Sequence, residues 1–147
     1  MASHGFRIPY GGTDTHLFNV DCKSVTGPRD VPLMGEVASR ILDLAGIVVN
    51  RNTIPGDKGA LNPSGLRIGT VWITQRGFRE TEIEELSRLM AELLLASVPY
   101  ASQGAASKRG YRAKVDFEVL NDVRVGVREL ANNAANDFEI SAVCFVI

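Results

Sequence analysis

The hydrophobic and polar positions in the first third of the chain predict a strand, a helix and a second strand. Apolar and polar side chains alternate over residues 17–22, after a glycine turn at positions 11 and 12, which predicts a half-buried strand. Helical spacing of apolar residues then predicts an amphipathic helix that ends at Gly46, a residue tolerant of positive φ. Those apolar residues are Met34, Val37, Ile41, Leu42 and Ala45. A short buried strand over residues 47–49 follows.

A long polar segment interrupts this pattern. Residues 50–65 contain two prolines and three glycines and are predicted to form a loop. Loops of that length are usually functional in a compact domain, so the candidate site is expected here. Residues 66–73 are rich in β-branched and apolar side chains and predict the next strand.

The remaining pattern predicts two helices and an apolar end. Thr81–Glu84 has capping-box spacing, and an apolar stripe then predicts a helix that Pro99 stops. The stripe consists of Ile83, Leu86, Met90, Leu93 and Leu94. A small-residue linker is predicted to about Gly110, followed by a helix whose apolar positions are Val115, Leu120, Val123, Val127 and Leu130. The apolar residues 140–147 could add a strand, dock on a partner or promote aggregation.

Composition narrows the class of protein. The chain has 147 residues, 45% of them hydrophobic, with 16 Lys and Arg against 17 Asp and Glu, so a nucleic-acid partner is not expected. Neither a signal peptide nor a run of about 18 apolar residues is evident, which predicts no membrane association. The two cysteines lack CxxC spacing, so neither a zinc site nor a disulfide framework is expected and a cytoplasmic location fits. Cofactor enzymes usually need roughly 250 residues or more, so the length favours one domain of a larger assembly or a small independent protein.

Three groups of residues are candidates for chemistry, and each has a simpler explanation. Arg67 could present a planar fork to a carboxylate or phosphate, although an exposed strand arginine or a surface ion pair explains it as well. Asn50–Thr53 offers amides and a hydroxyl, yet turn stabilisation would use the same residues. Asp14 and His16 could form an acid–base pair, but strand alternation also places them on one face and no nucleophile is adjacent. No phosphate-binding glycine motif or metal-ligand spacing is present.

Four motifs in order carry a resemblance to a known family. They are GGTDTHL at residues 11–17, NRNTIPGDK at 50–58, SGLRIGT at 64–70 and TQRGF at 74–78. Together they resemble the C-terminal small domain of serine hydroxymethyltransferase, over about Gly5 to Ala96. The resemblance implies an α+β two-layer sandwich, with a small, mostly antiparallel sheet and helices on one face, as in the small domain of fold-type I pyridoxal phosphate (PLP) enzymes. We therefore predict a domain of this family over residues 1–98, with a linker, helix and apolar tail over 99–147.

The resemblance also implies a function for particular residues. The family interconverts serine and glycine and exchanges a one-carbon unit with tetrahydrofolate. Arg67 matches the arginine that holds the α-carboxylate of the amino acid, and Asn52 matches a residue in the folate cleft. Residues 55–63 resemble the loop beside that cleft. Val71 and Trp72 stand where the family usually has Pro-Ala, which predicts altered packing beneath the site.

The family's cofactor chemistry has no counterpart that can be identified in this sequence. None of Lys23, Lys58, Lys108 and Lys114 has the context of the lysine that binds PLP, so the isolated chain is expected to be inactive and no catalytic residue is assigned to it. The expected partners are serine or glycine, a PLP-binding large domain and further copies in a homo-oligomer. The alternative hypothesis is a non-catalytic, free-standing or degenerate small domain that acts as a binding or assembly module.

Overall fold

The chain folds into two layers, a small sheet and the helices that cover it. The computed structural model describes residues 1–103, 109–134 and 145–146. The helices in this part are α1 (Gly35–Leu44), α2 (Val71–Gln75), α3 (Glu80–Leu95) and α4 (Phe117–Ala134). The strands are β1 (Leu17–Asp21), β2 (Ile47–Val48), β3 (Asn50–Asn52), β4 (Gly65–Gly69), β5 (Val98–Gln103), β6 (Arg109–Lys114) and β7 (Phe145–Val146). This arrangement confirms the predicted α+β two-layer class.

The central sheet has three antiparallel strands in the order β1-β4-β3. Val20, Leu66 and Ile68 alternate onto its inner face and are buried. Helices α1 and α3 pack against each other and contribute Ile41, Leu42 and much of α3 to the same core. The outer face carries polar side chains and glycines, which is why the strands alternate rather than forming continuous apolar runs.

The predicted helices are confirmed, with changes at their ends. Helix α1 ends at Leu44, and Gly46 adopts a φ of 85° as its sequence position suggested. Helix α3 begins at Glu80, and Glu82 accepts a hydrogen bond of 2.8 Å from the Arg79 amide, so the predicted capping pair of Thr81 and Glu84 was wrong. Helix α4 contributes buried Leu120, Val123, Val127 and Ala131 to the main core.

Two predicted segments near the site were wrong. The strand predicted over residues 66–73 ends at Gly69, because β1 supplies pairing partners only as far as Leu17, and residues 71–75 form helix α2 instead. This helix buries Ile73, so burial outweighs the β-propensity of the segment. Residues 50–52, predicted as the start of the loop, pair with β4 as an edge strand. Edge strands need no apolar alternation, and the hydrophobic pattern therefore missed this one.

The predicted linker after α3 is also different. Pro99 does not end that helix, which stops at Leu95, but lies within β5 opposite Ala113 of β6. Strands β5 and β6 form an antiparallel hairpin, so residues 99–103 are not a linker, while residues 104–108 lie outside the described part. In the apolar end, Phe145 and Val146 pair in parallel with β2, which is one of the three outcomes considered. The division of the chain at residue 98 stays a prediction.

The loop between β3 and β4, residues 53–64, is held by one carboxylate. Asp57 accepts hydrogen bonds from the backbone amides of Ile54 (3.1 Å) and Ser64 (2.9 Å) and from the Ser64 hydroxyl (2.5 Å). The Lys23 ammonium lies 3.5 Å from the same carboxylate. Desolvation opposes ionisation of Asp57, but the hydrogen bonds from Ser64 and Ile54 and the charge of Lys23 outweigh it and lower the pKa of Asp57. Both ends of the loop are therefore fastened to an ionised side chain.

Helix α1 approaches the strand end so closely that its first residue must be glycine. A Cβ on Gly35 would lie 2.2 Å from the carbonyl oxygen of Gly65 and 3.0 Å from that of Pro63. The Gly35 amide also donates a hydrogen bond of 2.9 Å to the Pro63 carbonyl. Contact of backbone with backbone thus sets the position of α1 at the start of β4.

We expect Gly35→Ala to lower the free energy of unfolding by about 1–3 kcal/mol, because the new methyl group must displace the backbone of β4 or α1. Urea unfolding followed by circular dichroism measures the change, with Asp43→Ala at an exposed position of α1 as the control. Helix propensity alone would favour alanine, so an unchanged or higher stability would contradict the close approach.

We expect Asp57→Asn to lower the free energy of unfolding by about 1–3 kcal/mol at pH 7, since it removes the charge that the loop amides and Lys23 stabilise. The folded-state pKa lies below the ordinary value of 3.8, so this stabilisation is complete above that pH and is lost as the pH falls through the folded value.

The difference in the free energy of unfolding between wild type and Asp57→Asn, measured by urea unfolding, should therefore be smaller at pH 3 than at pH 7. Asp122→Asn, at an exposed position of α4, serves as the control for removing one surface carboxylate. A difference that stays constant with pH, or one matched by the control, would mean that the Asp57 charge does not hold the loop.

Candidate functional site

The outer face of the central sheet carries the candidate site, with Arg67 at its centre. In the strand register Arg67 lies opposite Asn19 of β1 on one side and opposite Asn50 of β3 on the other. Residues directly opposite each other in neighbouring strands present their side chains on the same face, so the guanidinium lies between two asparagines. Arg67 and Asn50 are candidates from the sequence alone, whereas Asn19 is not.

Arg67 is exposed and lies between two glycines of its own strand. Within the described residues, no hydrogen bond or ion pair engages its guanidinium. Gly65 and Gly69 occupy the positions two residues before and after it on the same face, with the Ile54 side chain next to Gly65 and the Leu17 side chain next to Gly69. A guanidinium with five free donors on an open surface can bind a carboxylate through two parallel hydrogen bonds.

Asn52 lies on the same face, one step along β3. It pairs in register with Gly65, and its Nδ2 donates hydrogen bonds of 3.1 Å to Asn19 Oδ1 and of 3.1 Å to the Thr53 carbonyl. The structure therefore brings Arg67 and Asn52, the two site residues named from sequence, onto one surface. Asn19 joins them, since it lies opposite Arg67 and accepts the hydrogen bond from Asn52.

The loop of residues 53–64 borders this face at the Asn52 end. Asp57 and Ser64 fasten its base, whereas Leu61 at its tip is 94% exposed. The loop therefore combines an exposed tip with a buried first part, in which Ile54 is only 3% exposed.

Several other sequence expectations gain no support as chemistry. Asp14 and His16 are both exposed before β1, and no hydrogen bond or ion pair joins them in the described part of the chain. Arg51 points away from the site and pairs with Glu36 of α1. The sequence predicts that Val71 and Trp72 change the packing beneath the site. Instead they are 43% and 64% exposed on helix α2. They lie just beyond the Gly69 end of the Arg67 face.

The described residues suit neither a metal ion nor a reactive thiol. No group of three His, Cys, Asp or Glu side chains in the described ranges could hold a metal. Cys22 is a free, buried thiol, and its desolvation, together with the nearby charge of Asp21, raises its pKa to about 12. It is therefore protonated at neutral pH and unsuited to nucleophilic chemistry. Cys144 lies outside the described residues.

The lysines in the described part are either ion-paired or exposed. The Lys23 ammonium lies 3.5 Å from Asp57 and 4.0 Å from Asp21, so it serves the loop and β1. Lys58 and Lys114 are exposed, and Lys108 lies outside the described residues.

On the inner face of the sheet an apolar cavity of about 250 Å³ lies between the strands and α3. Phe18, Ile68, Ile83 and Met90 are among the residues that line it. Because these strand residues alternate with those of the polar face, the cavity is separated from Arg67 by the thickness of the sheet. No helix of the described chain is both long and apolar enough to cross a bilayer.

Comparison with known proteins is consistent with this geometry. The family model for serine hydroxymethyltransferase matches residues 1–90. A serine hydroxymethyltransferase of Caenorhabditis briggsae is 36% identical over 144 residues, which is 95% of this chain and 26% of the relative. A mitochondrial serine hydroxymethyltransferase of Candida glabrata is 34% identical over 92% of this chain and 27% of its own length.

A serine hydroxymethyltransferase of Bombyx mori is 45% identical over 86 residues, covering 58% of this chain and 17% of the relative. The chain thus spans about a quarter of the length of the Caenorhabditis briggsae and Candida glabrata relatives. The four ordered motifs, the two-layer fold and these matches agree. The chain belongs to the serine hydroxymethyltransferase family.

Proposed function

We propose that this chain is the part of a serine hydroxymethyltransferase that holds the amino acid and lines the folate cleft. The observation that carries the proposal is the exposed Arg67, which lies between Asn19 and Asn50 across the sheet and has no side-chain partner among the described residues. The complete protein would convert serine and tetrahydrofolate to glycine and methylenetetrahydrofolate, and the reverse. Family membership supports the transferase class.

The role of Arg67 is to bind and orient the substrate. Its planar guanidinium would hold the α-carboxylate through two charge-assisted hydrogen bonds, which fixes both the position of the carboxylate and its plane. Once the carboxylate is fixed, only rotation about the bond between the carboxylate carbon and the α-carbon decides which substituent of the α-carbon faces the reacting partner. Orientation of this kind can lower a barrier by several kcal/mol.

The role of Asn52 is to meet the folate co-substrate. Its amide lies on the same face as Arg67 and beside the loop of residues 53–64. This proximity allows one cleft to hold an amino acid at the guanidinium and a second molecule at the amide. Transfer of a one-carbon unit requires two molecules to be adjacent in this way.

PLP and the residues that act on it would come from outside this chain. The described lysines are engaged with carboxylates or exposed, and the relatives extend over about four times the matched length. We therefore propose a PLP-binding large domain as partner, either joined to this chain or separate, in a homo-oligomer. A cytoplasmic location also stays a prediction, since one relative is named as mitochondrial.

An apolar surface next to Arg67 is a suitable contact for that large domain. Leu17, Val71 and Trp72 are exposed at the Gly69 end of the site, where β1 begins and α2 follows β4. A partner that covers this surface would also enclose the neighbouring arginine and exclude water from it.

The alternative is a non-catalytic binding or assembly module. The engagement of Lys23 with Asp57 and Asp21 favours it, since this lysine is not available for chemistry. Incubating the chain alone with PLP, serine and tetrahydrofolate tests this alternative, because turnover without a partner would contradict a non-catalytic module.

In the complete enzyme we expect Arg67→Ala to reduce kcat/KM for serine by about 100-fold, mainly through a higher KM. Loss of two charge-assisted hydrogen bonds corresponds to about 3 kcal/mol. Arg67→Lys should recover only part of the loss, because an ammonium cannot form the fork. Steady-state kinetics measures both, with Arg112→Ala, an exposed strand arginine on the β5–β6 hairpin, as the control. Unchanged serine kinetics in Arg67→Ala would refute the assignment.

Trp72 is the only tryptophan of the chain and reports directly on the proposed domain contact. We expect the ¹⁹F resonance of 5-fluorotryptophan at this position to shift when the chain is mixed with the PLP-binding portion of the Caenorhabditis briggsae relative. Trp72→Ala should weaken the association in a sedimentation experiment, whereas Phe117→Ala, an exposed aromatic on α4, should not. Association with an unshifted Trp72 resonance would place the contact elsewhere.

A further inference from the structure

Asn19 has no role in the proposed function so far, yet it contacts Asn52 directly. Asn19 belongs to β1 and Asn52 to β3, and β4 lies between these strands. The two strands are separated by two strand spacings, or about 10 Å. Even so, Asn52 Nδ2 lies 3.1 Å from Asn19 Oδ1, so the two side chains meet above β4.

The crossing is possible because the residue beneath it is Gly65. Asn52 pairs with Gly65, while Asn19 pairs with Arg67, so the hydrogen bond runs diagonally over the glycine and beside the arginine. A Cβ at Gly65 would already lie 2.4 Å from the Ile54 side chain and 2.9 Å from the Asn52 carbonyl oxygen. A side chain at position 65 would thus clash with Ile54 and with the backbone of Asn52, the residue that donates this hydrogen bond.

The hydrogen bond determines which atom Asn52 offers to a ligand. The Nδ2 group carries two hydrogens, and the bonds to Asn19 Oδ1 and to the Thr53 carbonyl use both. The Oδ1 of Asn52 is then the polar atom left to face a bound molecule, and it can only accept. Without Asn19, one of the two hydrogens would lose its partner. The Asn52 amide could then rotate so that its oxygen and nitrogen exchange places, at little cost in free energy.

We infer that Asn19 is a positioning residue that holds the Asn52 amide so that its oxygen faces the folate cleft, and that the ligand group bound there is an N–H donor. The inference rests on the proposed role of Asn52 in folate binding. It assigns Asn19 no direct contact with serine, although it lies opposite Arg67 in the sheet. Its effect should therefore appear in folate affinity and depend entirely on Asn52.

The test is a double-mutant cycle in the complete enzyme that contains this domain, with tetrahydrofolate as the ligand. Asn19→Leu keeps the size of the side chain but removes the acceptor, and we expect it to raise the Kd for tetrahydrofolate by about 3- to 10-fold, equivalent to one neutral hydrogen bond. In the Asn52→Ala background the same substitution should change the Kd by less than about 2-fold. Asn121→Leu, at an exposed position of α4, is the control for replacing a surface amide.

A second measurement needs no cofactor and no partner. In the ¹⁵N–¹H spectrum of the 147-residue chain, one side-chain amide proton of Asn52 should move towards the position of a free asparagine in Asn19→Leu. Thermal unfolding of the same variants shows whether the sheet remains intact. A purely structural role for Asn19 would lower stability without this selective change at Asn52.

The possible results separate this inference from the proposed function. If Asn52→Ala weakens tetrahydrofolate binding but Asn19→Leu does not, the positioning role is wrong and the folate assignment stands. If Asn19→Leu raises the Kd for tetrahydrofolate equally in the wild-type and Asn52→Ala backgrounds, the positioning role is also wrong, since Asn19 would then act independently of Asn52. If Asn52→Ala itself leaves the Kd unchanged, the folate assignment fails and the role of Asn19 fails with it.

Discussion

The pairing of β4 with two neighbours is the constraint on which the site depends. Because β1 and β3 are both antiparallel to β4, one register places Asn19, Arg67 and Asn50 in a row across the sheet. A shift of one residue in either pairing would turn that strand's polar side chains into the core and its apolar ones outward. Burial of Val20, Leu66 and Ile68 on the inner face therefore maintains the outer arrangement without any contact to it.

Two local devices support this register from the same end of β4. The Gly35 backbone contacts Gly65 and Pro63, and Asp57 binds the amides of Ile54 and Ser64. Both act on the residues that join the loop to β4. A loop of twelve residues between paired strands could otherwise sample many conformations, and its anchoring limits that freedom where the strand begins. Stability and site geometry thus depend on the same few backbone groups.

Much of the fold and part of the site could be predicted from the sequence, for identifiable reasons. Helices α1, α3 and α4 carry regular apolar stripes, and β1 alternates clearly, so periodicity alone located them. Strand β3 consists of Asn50, Arg51 and Asn52, and its polar composition hid it, since an edge strand gains its stability from one neighbour rather than from burial. Helix α2 was missed because Val71 and Ile73 favour strands locally, while the end of β1 removed their pairing partner.

For the site, motif resemblance identified Arg67 and Asn52, but the contact of Asn52 with Asn19 depends on pairing between segments more than thirty residues apart. Alternation in β1 placed Asn19 on the polar face, and no property of the sequence indicated which residue would lie across from it. The side of the sheet that a residue faces can thus be predicted from one strand alone, whereas its neighbours require the register of all three.

The parallel pairing of β2 with β7 has a consequence for the order in which the molecule assembles. Ile47 of β2 meets Phe145 of β7, whereas Leu17 of β1 meets Gly69 of β4, so the first pairing closes a stretch of chain nearly twice as long. Doubling a loop adds only about 0.6 kcal/mol of closure entropy, but non-local pairings form slowly. During synthesis the central sheet can therefore form while one edge of β2 is still bare. Until residues 145–146 pair with it, that edge presents unpaired backbone groups to any other strand.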